Sequence, residues 1–180
     1  MNEPPARLWL NQARSDLKAG ERVFNATDEG SYCQAIAKYQ QVVEKSVKAI
    51  TAAVKQAAMG SIGTGFKHEV DKLVWALVLI PKGKGPADIK NRIRSLFHEG
   101  HRGEIRALCL LAPRKPGPGE LSRRNTEYPY QRLDETWIAP HESESFSKTE
   151  VERFRRLASR IIEGSAKILS ALERSTKPQS

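Results

Sequence analysis

The residues of this 180-residue chain best suited to chemistry by type are its four histidines and a concentration of arginine and lysine in its middle third. Between Lys82 and Arg124 there are 11 Lys and Arg against 4 Asp and Glu, so this segment carries +7 of the formal net charge of +9. A cationic field confined to one segment suits a partner that bears phosphate, such as RNA or a nucleotide. Lys82, Lys84, Arg92, Arg102, Arg106 and Arg123 are the candidates for phosphate contact. Two histidines lie inside the same segment. Arg94 and His98 are four residues apart and share a face on an unbroken helix. His101 follows Gly100, which lets it leave that face. The alternative is a solvated basic helix with two exposed histidines. For Arg123 and Arg124 it is a solvated loop. His68 stands apart from any second ligand or catalytic partner, and docking a glycine-rich connector is its simpler role.

Other chemistries find no support. The sequence offers no Ser/His/Asp constellation and no carboxylate pair arranged for a metal. Met59–Gly65 carries three glycines but lacks the lysine and the preceding strand of a phosphate-binding loop. Cys33 and Cys109 stand alone, with no CxxC and no Cys/His pairing, which fits reduced thiols in the cytoplasm. No signal peptide is apparent, and no stretch is long and apolar enough to span a membrane. The expectations are therefore no metal and no cofactor.

The elements that must position these residues are helical. Tyr32, Ala35, Ile36, Tyr39, Val42, Val43, Val47, Ile50, Val54 and Ala57 recur at three-and-four spacing, predicting a helix roughly 40 Å long at 1.5 Å per residue. Ser31 and Gln34 have the spacing of a capping box for it. This helix is the spine against which shorter ones are laid. Leu10, Ala13, Leu17, Gly20 and Phe24 give a first helix over Arg7–Asn25 the same seam, and a short turn makes the two antiparallel. A third helix runs from near His68 to Pro81. It is apolar almost all round, which predicts a central position. Pro86 and Asp88 open a basic helix with Ile89, Ile93, Leu96 and Phe97 inside, which Gly100 and Gly103 interrupt before a short helix continues to Pro113.

Residues 112–130 hold four prolines and two glycines and form an extended loop. Residues 131–146 stay irregular, with Trp137 and Phe146 as anchors. Ser147 and Glu150 cap the last helix. Its stripe is Val151, Phe154, Leu157, Ile161, Ile162, Ile168, Leu169 and Leu172. Trp9, Trp75 and Trp137 are core or interface anchors. The fold class is all-α: a four-helix up-down bundle with a long basic crossover, of short helices and a Pro-rich loop, between the third and last main helices. The single domain covers residues 7–174, with a disordered N-terminus over 1–6 and a disordered tail over 175–180.

With the helices placed, the chain resembles the HEPN family, small helical domains of prokaryotic toxin and defence systems. Ala13, Asp16 and Leu17 match its first-helix pattern. Tyr32, Gln40, Gln41, Glu44, Lys45, Lys48 and Ala49 match its second. His68 matches the start of its third, and Tyr128 and Pro129 match the pair before its last. The resemblance spans roughly residues 9–172. It implies a homodimer, an RNA-related role, and a possible antitoxin or nucleotidyltransferase partner. In active members an arginine and a histidine with about four to six residues between them cleave RNA without a metal: the histidine serves as general base on a ribose 2′-hydroxyl and the arginine holds the phosphate. Arg124 and Asn125 match the start of that motif. Pro129, Tyr130 and Gln131 stand where its histidine falls, and a phenol with an ordinary pKa of about 10 is a poor base. Arg94 with His101, and Arg92 with His98, satisfy the spacing further upstream. Catalytic candidates are thus Arg124, Asn125, Tyr130, Arg94, His98 and His101. The resemblance leaves open a ribonuclease, a relative that binds RNA without cutting it, a non-enzymatic nucleotide- or protein-binding partner, and a dimerising scaffold.

Overall fold

The computed structural model describes residues 5–26, 32–57, 59, 70–81, 85–112, 124, 126–127, 130–131, 136–141 and 145–175; for residues 130–131 it describes only the backbone. Among the described residues six helices follow one another: α1 (Ala6–Asn25), α2 (Tyr32–Gln56), α3 (Val70–Val78), α4 (Ala87–Leu96), α5 (Glu99–Leu110) and α6 (Lys148–Ser175). The three long helices pack on one another, α3 lies against α2, and α4 and α5 fill the crossover against α3 and α6. This is the all-helical bundle that the periodicity predicts. α1 already includes Ala6, which is buried, and α6 extends to Ser175.

The predicted seams form the core. Leu10 and Ala13 of α1 meet Ile36, Tyr39, Val43, Val47 and Ile50 of α2, and Phe154, Leu157, Ile161 and Ile168 of α6 close the stack. Fully burying each large side chain of this kind contributes about 1.5–3 kcal/mol. Polar contacts fix the register. Asp16, buried on α1, is ion-paired with Lys45 of α2, with Lys38 at 3.8 Å on its other oxygen. Arg7 at the start of α1 donates through Nε to Glu173 near the end of α6 at 2.7 Å. Gln40 of α2 donates to the Leu108 carbonyl of α5 at 2.8 Å and accepts from the Thr126 hydroxyl at 3.4 Å, tying the crossover to the spine.

The sequence reading needs correction at several places. The Ser31 cap, His68 and most of Met59–Gly65 lie outside the described residues. α3 is not central. It buries Val70, Leu73, Val74 and Leu77 and leaves Trp75 51% exposed, and Leu79 just past its end is 68% exposed. The glycines at 100 and 103 do not interrupt a helix, because both lie inside α5; the break falls at Phe97–His98, where the His98 ring caps α5. Residues 131–146 are not wholly irregular either. Two short strands, β1 (Tyr130–Gln131) and β2 (Trp137–Ile138), pair antiparallel, Tyr130 opposite Ile138 and Gln131 opposite Trp137. Ile138 is buried and Trp137 is 64% exposed, which is the alternation of a strand with one face inward. In the lysine-rich turn, Gly85 sits at φ +71°, and a Cβ there would come within 2.5 Å of Met59, so both backbone and space require glycine.

Candidate functional site

The junction of α4 and α5 is built by two histidines that do different jobs. α4 ends at Leu96, and His98 adopts the extended conformation of an N-cap. Its Nδ1 accepts the Gly100 N–H at 3.2 Å, satisfying one of the orphan donors of α5. His101, one turn further, has Nδ1 2.7 Å from the Leu96 carbonyl. A carbonyl only accepts, so His101 Nδ1 carries the proton and donates it. In the neutral ring this leaves the lone pair on Nε2, the nitrogen a general base uses. The two rings stack with centroids 4.0 Å apart and a tilt of 34°.

His101 faces a cleft of about 450 Å³ between the α4–α5 junction and α6. Asn91, Arg92, Ser95 and Leu96 of α4 line one wall, and Gly164, Lys167 and Ile168 of α6 the other. Among the described residues no carboxylate lines it. The two helices approach closely because residue 164 is glycine: a Cβ there would lie 2.4 Å from Leu96 Cδ1. Arg92 Nε is 3.8 Å from Asp88, one turn back on α4, with both side chains more than half exposed. Such a pair is weak and leaves the guanidinium available. A cleft with two cations, an amide, a hydroxyl and an oriented imidazole can hold an anion such as a phosphodiester and can accept a proton from it or from its neighbour.

The other candidates fall elsewhere. Arg94 does not line the cleft; its Nε reaches back to the Val78 carbonyl at the end of α3, at 3.5 Å. His98 lies beside His101 and serves as a cap. Arg102 lies over the Trp75 ring at 4.2 Å and, with Arg106, lines a separate hollow between α3 and α5. Arg124 sits at the start of α6, where both terminal nitrogens bind the Glu150 carboxylate at 3.1 and 2.8 Å and the guanidinium lies 4.2 Å over Phe146. Lys82, Lys84, Arg123 and Asn125 lie outside the described residues, as does the side chain of Tyr130. The chain thus brings Arg92 to His101, with eight residues between them, and separates Arg94 and Arg124 from both. Asn91, Ser95 and Lys167 escape the sequence reading. Lys167 shows there only as a residue off the buried stripe, and Gly164 inside a long helix is the one local sign of close packing.

Glu150 is the acidic group whose ionisation this arrangement most affects. Partial burial pushes its carboxyl up, but hydrogen bonds from Arg124 and the Ser147 N–H, with the arginine's charge, outweigh that and hold it below the ordinary range. Ser147 Oγ accepts the Glu150 N–H at 3.2 Å and Glu150 accepts the Ser147 N–H at 3.2 Å, completing the predicted capping box. Among the described residues no group of three or more His, Cys, Asp or Glu is placed to hold a metal ion, and no helix is long and apolar enough to cross a membrane.

An all-α bundle whose first two helices are locked by a buried Asp16–Lys45 pair, with Gln40 carrying the crossover, defines a helical domain of the kind the sequence resembles. The HEPN domain family model matches residues 6–169, and the chain belongs to that family. No curated protein and no solved structure gives a match.

Proposed function

We propose that this HEPN protein binds RNA in the cleft between α4 and α6 and cleaves it there without a metal, as members of toxin and defence systems do. The observation that carries this reading is the placement of Arg92 and His101 on one cleft, with the His101 ring held by the Leu96 carbonyl so that Nε2 is its basic nitrogen. Arg92 and Lys167 hold the scissile phosphate. Nε2 of His101 takes the proton of the adjacent 2′-hydroxyl, the 2′-oxygen bonds to phosphorus, and the 5′-oxygen leaves with a proton from water. Arg92 offsets the charge that builds on the phosphoryl oxygens.

The test is incubation of purified protein with RNA in a chelator. His101→Asn keeps a donor near the position of Nδ1 and loses the base; His101→Ala loses both. Both variants are expected to lower cleavage by about 10²–10⁴-fold while RNA binding holds, with His101→Asn staying nearer wild-type stability. Arg92→Ala lowers binding and cleavage together. Cleavage that survives in both histidine variants and disappears in Arg124→Ala would place the site in the crossover loop instead.

One observation favours a second reading, a relative that binds RNA or a nucleotide and does not cut. Arg124, the arginine matching the family motif, has both terminal nitrogens committed to Glu150. Salt-sensitive RNA binding without any cleavage in chelator supports this alternative. Absence of both RNA binding and cleavage points to a protein partner, such as an antitoxin or a nucleotidyltransferase.

A further inference from the structure

His98 and His101 are alike in chemistry and opposite in protonation. Nδ1 of His98 accepts the Gly100 N–H at 3.2 Å, so that nitrogen holds a lone pair and the proton of the neutral ring is on Nε2. Nδ1 of His101 donates to the Leu96 carbonyl at 2.7 Å, so its proton is on Nδ1 and its lone pair on Nε2. A different backbone group sets each tautomer. The two rings then meet with centroids 4.0 Å apart and a tilt of 34°.

A single hydrogen bond does not fix an imidazole. His101 is half-buried, and its ring can swing about the line from Nδ1 to the Leu96 oxygen, which carries Nε2 away from the cleft. The His98 ring blocks that swing on one side. His98 is itself held. Its Nδ1 is tied to the α5 backbone, and residue 100 is a glycine: a Cβ there would lie 3.0 Å from His98 Cε1 and 3.3 Å from Nδ1. A side chain at position 100 therefore crowds the ring out of its place. His98 does not line the cleft, whereas Leu96 and His101 do. Its effect on a molecule bound there passes through His101.

The contact has an electronic side as well. When Nε2 of His101 takes a proton the ring becomes a cation, and a neutral aromatic face beside it is stabilising. His98 supplies a neutral face for as long as it accepts the Gly100 N–H, because a proton on Nδ1 would replace the acceptor by a donor.

We infer that His98 is a positioning residue: its ring, anchored at Gly100, holds His101 with Nε2 toward the cleft and steadies the cation that forms there. The inference rests on the reading of His101 as the base of the cleft.

Two substitutions separate the ring from the cap. His98→Asn keeps a good N-cap side chain and removes the ring. His98→Phe keeps an aromatic face and removes the acceptor. Nitrogen-15 NMR of the full chain without RNA, at about pH 8 where imidazoles are neutral, reads which nitrogen of each histidine carries the proton. The wild type is expected to show it on Nε2 of His98 and on Nδ1 of His101. In His98→Asn the melting temperature holds, His101 becomes a mixture of tautomers, and kcat on RNA falls about threefold to tenfold at unchanged KM. In His98→Phe the melting temperature falls by about 2–8 °C for the lost cap. There His101 keeps its proton on Nδ1, and kcat well below the melt stays within about twofold of wild type. Wild-type histidines that share one tautomer overturn the inference. So does a His101 that keeps its wild-type signature in His98→Asn, or a kcat that follows the melting temperature and not the ring. A wild type that shows the two signatures and cuts no RNA refutes the RNA reading alone, and the His98→Asn spectrum still decides whether His98 holds the ring.

Discussion

Arg124 lays both terminal nitrogens on the Glu150 carboxylate, at 3.1 and 2.8 Å, and so joins the crossover to the first turn of α6. Glu150 is also the reciprocal member of the Ser147 capping box. One carboxylate therefore caps a helix and holds an arginine from 26 residues earlier in the chain. An anion in the first turn of a helix is favoured by the helix dipole as well. The arrangement explains why a motif-matching arginine can be a structural residue.

Removing either partner tests this. Arg124→Ala and Glu150→Gln are each expected to destabilise the fold by about 1 kcal/mol, since both side chains remain about one-third exposed and water screens the pair. A double-mutant cycle should return most of that as coupling. The pH dependence has a definite sign. The folded-state carboxyl is held below its ordinary value of 4.5, so its contribution is complete above that value and disappears as pH falls through the lowered one. Urea melts from pH 7 down to pH 3 should show the wild type losing stability that Glu150→Gln never had. Parallel curves for the two proteins would refute it.

Gly164 sets the distance between α4 and α6. The three atoms nearest a methyl there all belong to Leu96, at 2.4 Å for Cδ1, 2.9 Å for Cδ2 and 3.1 Å for Cγ. Leu96 also lines the cleft, so relief requires it to turn toward that space. Gly164→Ala gains helix propensity of up to about 1 kcal/mol, and overpacking costs about 1–3 kcal/mol, so a net loss is expected. Leu96→Ala in the same chain removes the clash and should recover part of it. If Gly164→Ala raises the melting temperature on its own, the close contact is not real.

How much of this is legible in the sequence depends on the length over which a signal repeats. The seams of α1, α2 and α6 each run for several turns, and their residues occupy the core as the spacing predicts. The Ser147–Glu150 cap is local and is equally readable. The pairing of Tyr130 with Ile138 is not, because two-residue strands carry no period. Gly100 and Gly103 mislead: glycine usually marks a helix end, yet here the end is made by the His98 imidazole, whose capping role depends on its rotamer. The placement of Arg92 and His101 on one cleft depends on the angle between α4 and α5. Lys167 joins them only through tertiary packing. Spacing rules tuned to one helix cannot report either placement.

The electrostatic share of the cleft can be measured separately from any cleavage. Each cation that neutralises a phosphate releases condensed counterions, so the slope of log binding constant against log salt counts such contacts. Lys167→Ala and Arg92→Ala, assayed with an RNA bearing 2′-methoxy groups to prevent cleavage, should each reduce that slope by about 0.7, the single-strand increment per contact. Arg102→Ala and Arg106→Ala, on the α3–α5 face, should leave it unchanged. The comparison distinguishes a built cleft from a diffuse field. If all four substitutions lower the slope equally, RNA reads only the general positive charge of the chain, and the α4–α6 cleft has no special claim on it.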